Sequence, residues 1–176
     1  TLLKSAYSII LKEGADASCA LFSSTGDVIS QAASQPIHLA ALIPAVQRIL
    51  KEYPPEVIAE GDVYLINDPY DGGTHIPDLI VAVPVFSASR LVALGCSLAH
   101  HQDFGGKTPG SMVTDATDIF QEGLVLPPLK LYDRGILNST LVSILRRNVR
   151  VPDQVLGDIM AQVAAGKTVS RRVGEI

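Results

Sequence analysis

The chain has 176 residues, 47% of them hydrophobic and 18% charged. That is apolar enough to build a real core and excludes a disordered chain. The formal net charge of -4 and the sequence pI near 5.5 argue against a nucleic-acid-binding surface, which needs a clustered basic excess.

In chain order, Leu2, Leu3, Ala6, Ile9 and Ile10 recur at helical spacing, so residues 2–12 are predicted as one helix ended by Gly14. Residues 18–22 and 28–32 are predicted as strands of a hairpin around Ser24-Thr25-Gly26-Asp27. Leu39, Leu42, Ile43, Val46, Ile49, Leu50 and Tyr53 make an apolar helical face. Pro44 fits that helix only if the helix begins close to it, and Pro54-Pro55 stops it. Residues 63–66, 79–86 and 91–100 are apolar, β-branched and bounded by turn residues, as strands are, and residues 124–131 are expected to be extended. Two helices close the chain, one through Leu141, Ile144 and Leu145, the other after Pro152-Asp153. No internal repeat or linker interrupts it, so the expectation is one α+β domain over residues 1–176, with a mixed strand-rich centre flanked by helices. Its longest apolar runs, such as residues 79–86, are far short of the ~20 residues a membrane span needs. The start lacks a basic segment followed by a small-residue cleavage site, so no signal peptide is expected. Cys19 and Cys96 sit in apolar runs and are expected to be reduced thiols in a cytoplasmic protein. The start without Met and the stop just after a helix suggest a fragment.

Three of the four histidines, His75, His100 and His101, fall in the strand-rich middle. His75-Ile76-Pro77-Asp78 places an imidazole and a carboxylate across a proline-stiffened turn. Adjacent strand residues point to opposite faces, so His100 and His101 do not both enter one pocket. His100 is in phase with Val92, Leu94, Cys96 and Leu98, which marks it as the inward imidazole; His101 follows the small residues Ala93, Gly95, Ser97 and Ala99. Two imidazoles and a carboxylate suit a divalent transition metal such as Zn, Mn or Fe, or else they are hydrogen-bonded turn and strand-end residues. Asp68, Asp71 and Asp103 lie on the same loops as turn-formers or ligands, with turn formation favoured for Asp71. Gly105-Gly106-Lys107-Thr108 fails as a phosphate loop, because its first glycine would fall on His101. Ser111 lacks a nucleophile elbow, Glu122 is an isolated carboxylate, and the run Arg146-Arg147-Asn148-Val149-Arg150 reads as a solvated helix end or subunit contact.

Residues 61–78, GDVYLINDPYDGGTHIPD, resemble the signature of the hydantoinase B/oxoprolinase family, and AHHQDFGG (99–106), PGSM (109–112) and QEGL (121–124) are similar to its later motifs in the same order. The match runs from about Ser5 to beyond Asp158, and since family subunits are considerably longer, the resemblance implies an N-terminal portion of a larger subunit. Members include N-methylhydantoinase B subunits, 5-oxoprolinase, caprolactamase and a subunit of acetone carboxylase. The resemblance implies a subunit of an ATP-dependent cyclic amide hydrolase in a cytoplasmic hetero-oligomer. A hydantoinase A-type partner binds ATP and phosphorylates the substrate's carbonyl oxygen, and this subunit opens the ring with a metal-bound water; neither nucleic acid nor membrane is an expected partner. It further implies metal ligation by Glu13, His75, Asp78 and His100, which match residues holding manganese in the acetone carboxylase relative. Asp103 or His101 is expected to take the proton, with Glu122 as a further candidate. An acetone-carboxylase-like carboxylation and a non-catalytic, metal-stabilised interaction fragment are the alternatives. Ala17 and Ser24 depart from the family pattern, which leaves the substrate open.

Overall fold

A computed structural model describes residues 2–32 and 35–175. Among the described residues seven strands form one antiparallel sheet: β1 (Ala17–Ser23), β2 (Val28–Gln31), β3 (Val63–Ile66), β4 (Asp78–Ser87), β5 (Arg90–His100), β6 (Leu129–Asp133) and β7 (Ile136–Leu137), in the spatial order β2-β1-β5-β4-β3-β6-β7. Helices cover both faces. On one side α3 (Pro36–Glu52) buries Leu42, Val46 and Ile49 against Phe22, Ile66, Ile80, Leu94 and Leu98. On the other, α4 (Ser139–Asn148) and α5 (Pro152–Gly174) bury Leu145, Val155, Ile159 and Val163 against Leu65, Leu79, Val81 and Val83. Side chains alternate faces along a strand, so Leu79, Val81 and Val83 meet one helical layer and Ile80 and Ala82 the other. That double covering explains why residues 78–85 read as one unbroken buried run. The α+β expectation is met, in three layers with the sheet in the middle.

The approach of α5 to the sheet depends on Gly166. A Cβ there would lie 2.3 Å from Val83 Cγ2, closer than side chains ever approach. No helix among the described residues is long and apolar enough to cross a membrane. Cys19 and Cys96 are unpaired, and burial raises both thiol pKa values.

Two expectations about helices change. The single helix over residues 2–12 is two short ones, α1 (Leu2–Ser5) and α2 (Ile9–Lys12). Between them Asp158 of α5 accepts from the backbone N–H groups of Tyr7 (2.6 Å) and Ser8 (3.2 Å), and the Ser8 hydroxyl caps α2 by accepting from Leu11 N–H. Two N–H groups drawn to a side chain are lost to the helical ladder. The helix with Pro44 does not start near it: α3 begins at Pro36 and runs through Pro44 to Glu52, held by its buried face. The segment 124–131 is extended as expected, and it joins the ladder at Leu129, directly after the interrupting Pro127-Pro128.

Candidate functional site

β4 begins at Asp78 and β5 ends at His100, and the two residues pair directly across the ladder. Paired residues of an antiparallel ladder project to the same face, here the α3 face. His75 arrives from the turn preceding β4. That turn is fixed by Asn67, which is wholly buried: its amide donates to Ile76 O (2.7 Å) and Leu124 O (3.0 Å), and its carbonyl accepts from Leu126 N–H (2.7 Å).

The three side chains converge. Asp78 Oδ2 lies 2.7 Å from His75 Nδ1, and Asp78 Oδ1 lies 2.7 Å from His100 Nδ1. The two rings meet edge to face with centroids 5.3 Å apart, and the Thr74 hydroxyl donates to Asp78 Oδ2. One ligand atom from each of His75, Asp78 and His100 falls within 4.8 Å of the others. Donors bound at about 2.0–2.2 Å to one ion lie up to roughly 4.4 Å apart, so small side-chain rotations would bring the set onto a common centre. The donor chemistry, two imidazoles and a carboxylate, is that of Zn, Mn or Fe sites. These residues fit a divalent cation.

Electrostatics agree with a preformed site. Burial pushes the Asp78 carboxyl pKa up, but hydrogen bonds from His100, His75 and Thr74 outweigh it and hold the group below the usual carboxylate range. The hydrogen bond to Asp78 raises the pKa of His75, and the negative charges of Asp78, Asp16 and Glu122 add to that. The Asp78 side chain is fully buried, whereas that of His75 is 46% exposed, so the cluster opens to solvent on the His75 side.

The remaining sequence candidates separate. Glu13 is exposed at the end of α2 and lies outside the three-residue cluster. Asp16 is the carboxylate beside the cluster: its charge acts on His75, and its backbone carbonyl accepts from His100 N–H at 3.0 Å. His101 is buried on the α5 side, where its Nε2 lies 3.0 Å from Gln162 Oε1, and burial lowers its pKa. Gln162 in turn donates to Leu79 O at 2.9 Å, tying α5 to the sheet. Asp103 has no free oxygen for a reaction: Oδ1 accepts from Gly105 N–H and Arg150 N–H, and Oδ2 from Gly110 N–H and the Arg150 guanidinium, at 2.9–3.0 Å. Burial raises its pKa, and those donors more than reverse the effect. Arg150, expected in a solvated helix end or a subunit contact, braces this loop, donating also to the carbonyls of Gly105, Gly106 and Thr108.

Glu122 is half-buried, with its charge acting on His75. Its segment is held by Lys107 N–H on Gln121 O (2.8 Å) and Leu124 N–H on Phe104 O (2.8 Å). The loop can approach that closely because Gly106 has φ of +79° and no Cβ, which would otherwise lie 2.5 Å from Glu122 O. Sequence reasoning missed Asn67, Asp16 and Arg150 as contributors. Asn67 carried only a turn signal, and nothing local marks Asp16, whose place next to His100 follows from the pairing of β1 with β5.

A family model described as hydantoinase B/oxoprolinase matches residues 1–176. The B-type component of a putative D-/L-hydantoinase from Pseudomonas sp. (strain NS671) is 35% identical over 180 residues, covering 99% of this chain and 30% of its own length. The crystal structure of the ATP-dependent caprolactamase from Pseudomonas jessenii superimposes with a TM-score of 0.86 at 38% identity, over 91% of this chain and 28% of that one. A nucleotide-free acetone carboxylase structure shares the fold, with a TM-score of 0.91 at 22% identity over 99% of this chain and 23% of that one. The chain spans less than a third of the length of the curated relatives it matches.

Proposed function

The chain belongs to the hydantoinase B/oxoprolinase family, and we propose that it carries the metal-dependent, ring-opening half of an ATP-dependent cyclic amide hydrolase. The observation that carries this reading is the convergence of His75, Asp78 and His100 at the end of two paired strands. Lactams and hydantoins resist hydrolysis because the nitrogen lone pair is delocalised into the carbonyl. A hydantoinase A-type partner that phosphorylates the carbonyl oxygen from ATP removes that resonance and installs a leaving group. This division of labour accounts for a chain whose glycine-rich loop is committed to Arg150 and to the Glu122 segment.

His75, Asp78 and His100 would hold the divalent cation (Mn, Zn or Fe), with Asp16 the nearby carboxylate able to complete the set. A cation bound there supplies Lewis-acid chemistry, lowering the pKa of a water or polarising an oxygen of the substrate. His75, half exposed at the rim, faces the side from which a small cyclic substrate enters. Glu122 is the carboxylate best placed among the three proton-acceptor candidates, because Asp103 is saturated with donors and His101 is buried on the far face. It accepts the proton of the attacking water as the oxygen bonds to the activated carbon; the ring nitrogen takes up that proton and the hydroxyl proton as the C–N bond breaks, leaving an acyl phosphate and a free amine, and a second water releases phosphate and the carboxylate. Small cyclic amides, a hetero-oligomeric assembly and a cytoplasmic setting complete the reading; relatives named as a hydantoinase subunit and a caprolactamase subunit support the first two.

The test is metal content of the intact protein purified without added metal, beside His100→Ala. About one equivalent of Mn, Zn or Fe, lost in the variant together with ATP-dependent hydrolysis of hydantoins or 5-oxoproline, is the expected result. A variant that keeps both its metal and its turnover defeats the reading.

A further inference from the structure

The fourth histidine, His38, is absent from the set above, yet the sheet brings it to the same place. The β1–β5 ladder pairs Ser18 with Leu98 and Ala17 with Ala99, and the bond from His100 N–H to Asp16 O carries the pairing one residue further. Asp16, His100 and Asp78 therefore stand in a row across three adjacent strand ends, all on the face that α3 covers. His38 comes down on that row from the first turn of α3. It is only 4% exposed and Ser18 only 3%. Ser18 Oγ lies 2.9 Å from His38 Nδ1, and His38 Nε2 lies 3.4 Å from Asp16 Oδ1. A carboxylate only accepts, so the tautomer that matches both neighbours has its proton on Nε2, facing Asp16, and leaves Nδ1 to accept from the Ser18 hydroxyl.

We infer that His38, fixed by Ser18, is a positioning residue that aims the Asp16 carboxylate at the metal centre. This rests on the reading of His75, Asp78 and His100 as metal ligands. Both His38 and Gln35 contact Oδ1 of Asp16, Gln35 Nε2 at 3.3 Å, which leaves Oδ2 as the oxygen to turn toward the cluster. Partners behind a ligating carboxylate restrict its rotation, and losing one typically weakens metal binding about 10–100-fold. A buried imidazole needs partners for its ring nitrogens, and here one of those partners is the carboxylate that stands beside the metal cluster.

The experiment compares His38→Met, which fills the space without a donor, with His38→Gln, whose amide nitrogen replaces Nε2. Ser18→Ala is the milder arm, loosening the ring while leaving it in place. On the intact protein, Mn(II) and Co(II) affinities are measured by chelator competition, and the Co(II) ligand-field spectrum reports the coordination sphere. The expected result is a loss of roughly 10–100-fold in affinity for His38→Met with an altered Co(II) spectrum, near-recovery in His38→Gln, and an intermediate loss in Ser18→Ala. If His38→Met does not fold, Ser18→Ala decides: wild-type affinity and spectrum there overturn the proposal. Equal affinity in His38→Met and wild type, or equal damage in the Met and Gln variants, also overturns it. Wild-type protein that binds neither ion, or His100→Ala that binds them normally, overturns the metal reading itself and this inference with it.

Discussion

Replacing Asp103 with Ala separates a structural carboxylate from a catalytic one. Its two oxygens accept four hydrogen bonds, from the backbone N–H groups of Gly105, Gly110 and Arg150 and from the Arg150 guanidinium. Leaving a buried donor without an acceptor costs about 1–3 kcal/mol. Two of the three backbone bonds are only part-buried, so the low end, about 1 kcal/mol for each of the three, is used; the Arg150 pair, 39% exposed on the arginine side, adds about 1 kcal/mol. The sum is ~4 kcal/mol, which for a chain of this size lowers the melting temperature by about 8–16 °C. Denaturant and thermal unfolding of the intact protein read this directly, and metal content at low temperature is expected to stay near the wild-type level. An Asp103→Ala protein that melts within about 2 °C of wild type while losing turnover would refute the reasoning and return Asp103 to the reaction.

The other predictions concern the rim, the proton and the helix approach. Glu122→Gln should lower turnover by about 10²–10⁴-fold with metal content unchanged; steady-state kinetics with unaltered rate would leave the proton to another group. In metal-free protein His75 should titrate above 6.5, because Asp78 accepts from Nδ1 of its cationic form. A raised folded pKa stabilises fully at pH values below the unfolded value of about 6.5, and the gain disappears as pH rises through the folded one. An NMR titration of the imidazole gives the value, and His75 titrating at or below 6.5 refutes the assignment. Gly166→Ala should destabilise by about 1–3 kcal/mol, since its methyl group would lie 2.3 Å from Val83 Cγ2; an unchanged unfolding midpoint would mean that α5 is free to move away.

Most elements were legible from local chemistry. The hairpin of β1 and β2, the two long strands and the final helices follow from apolar period, β-branching and turn residues, all properties of neighbouring residues. The misjudged elements share a cause, since each depends on a partner distant in sequence. Tyr7 and Ser8 break the first helix because Asp158 stands above them, and α3 continues past Pro44 because its buried face outweighs one missing bond. Strand phase puts His100 and His101 on opposite faces, but it does not show that His101 is as buried as His100, since that requires knowing that α5 roofs the other side.

The sequence by itself determined the family motifs, the alternation that makes the central strands, and the residue types from which a cation site is built. Tertiary structure alone decided which carboxylates do what. Asp16, Asp78, Asp103 and Glu122 are alike as residues; Asp78 sits between two imidazoles, Asp103 is closed by four donors, and Asp16 stands next to His100 only because β1 pairs with β5. Charge and reactivity of a carboxylate are set by its neighbours within a few ångströms, and those neighbours come from segments as far apart in the chain as residues 16 and 100 or 103 and 150.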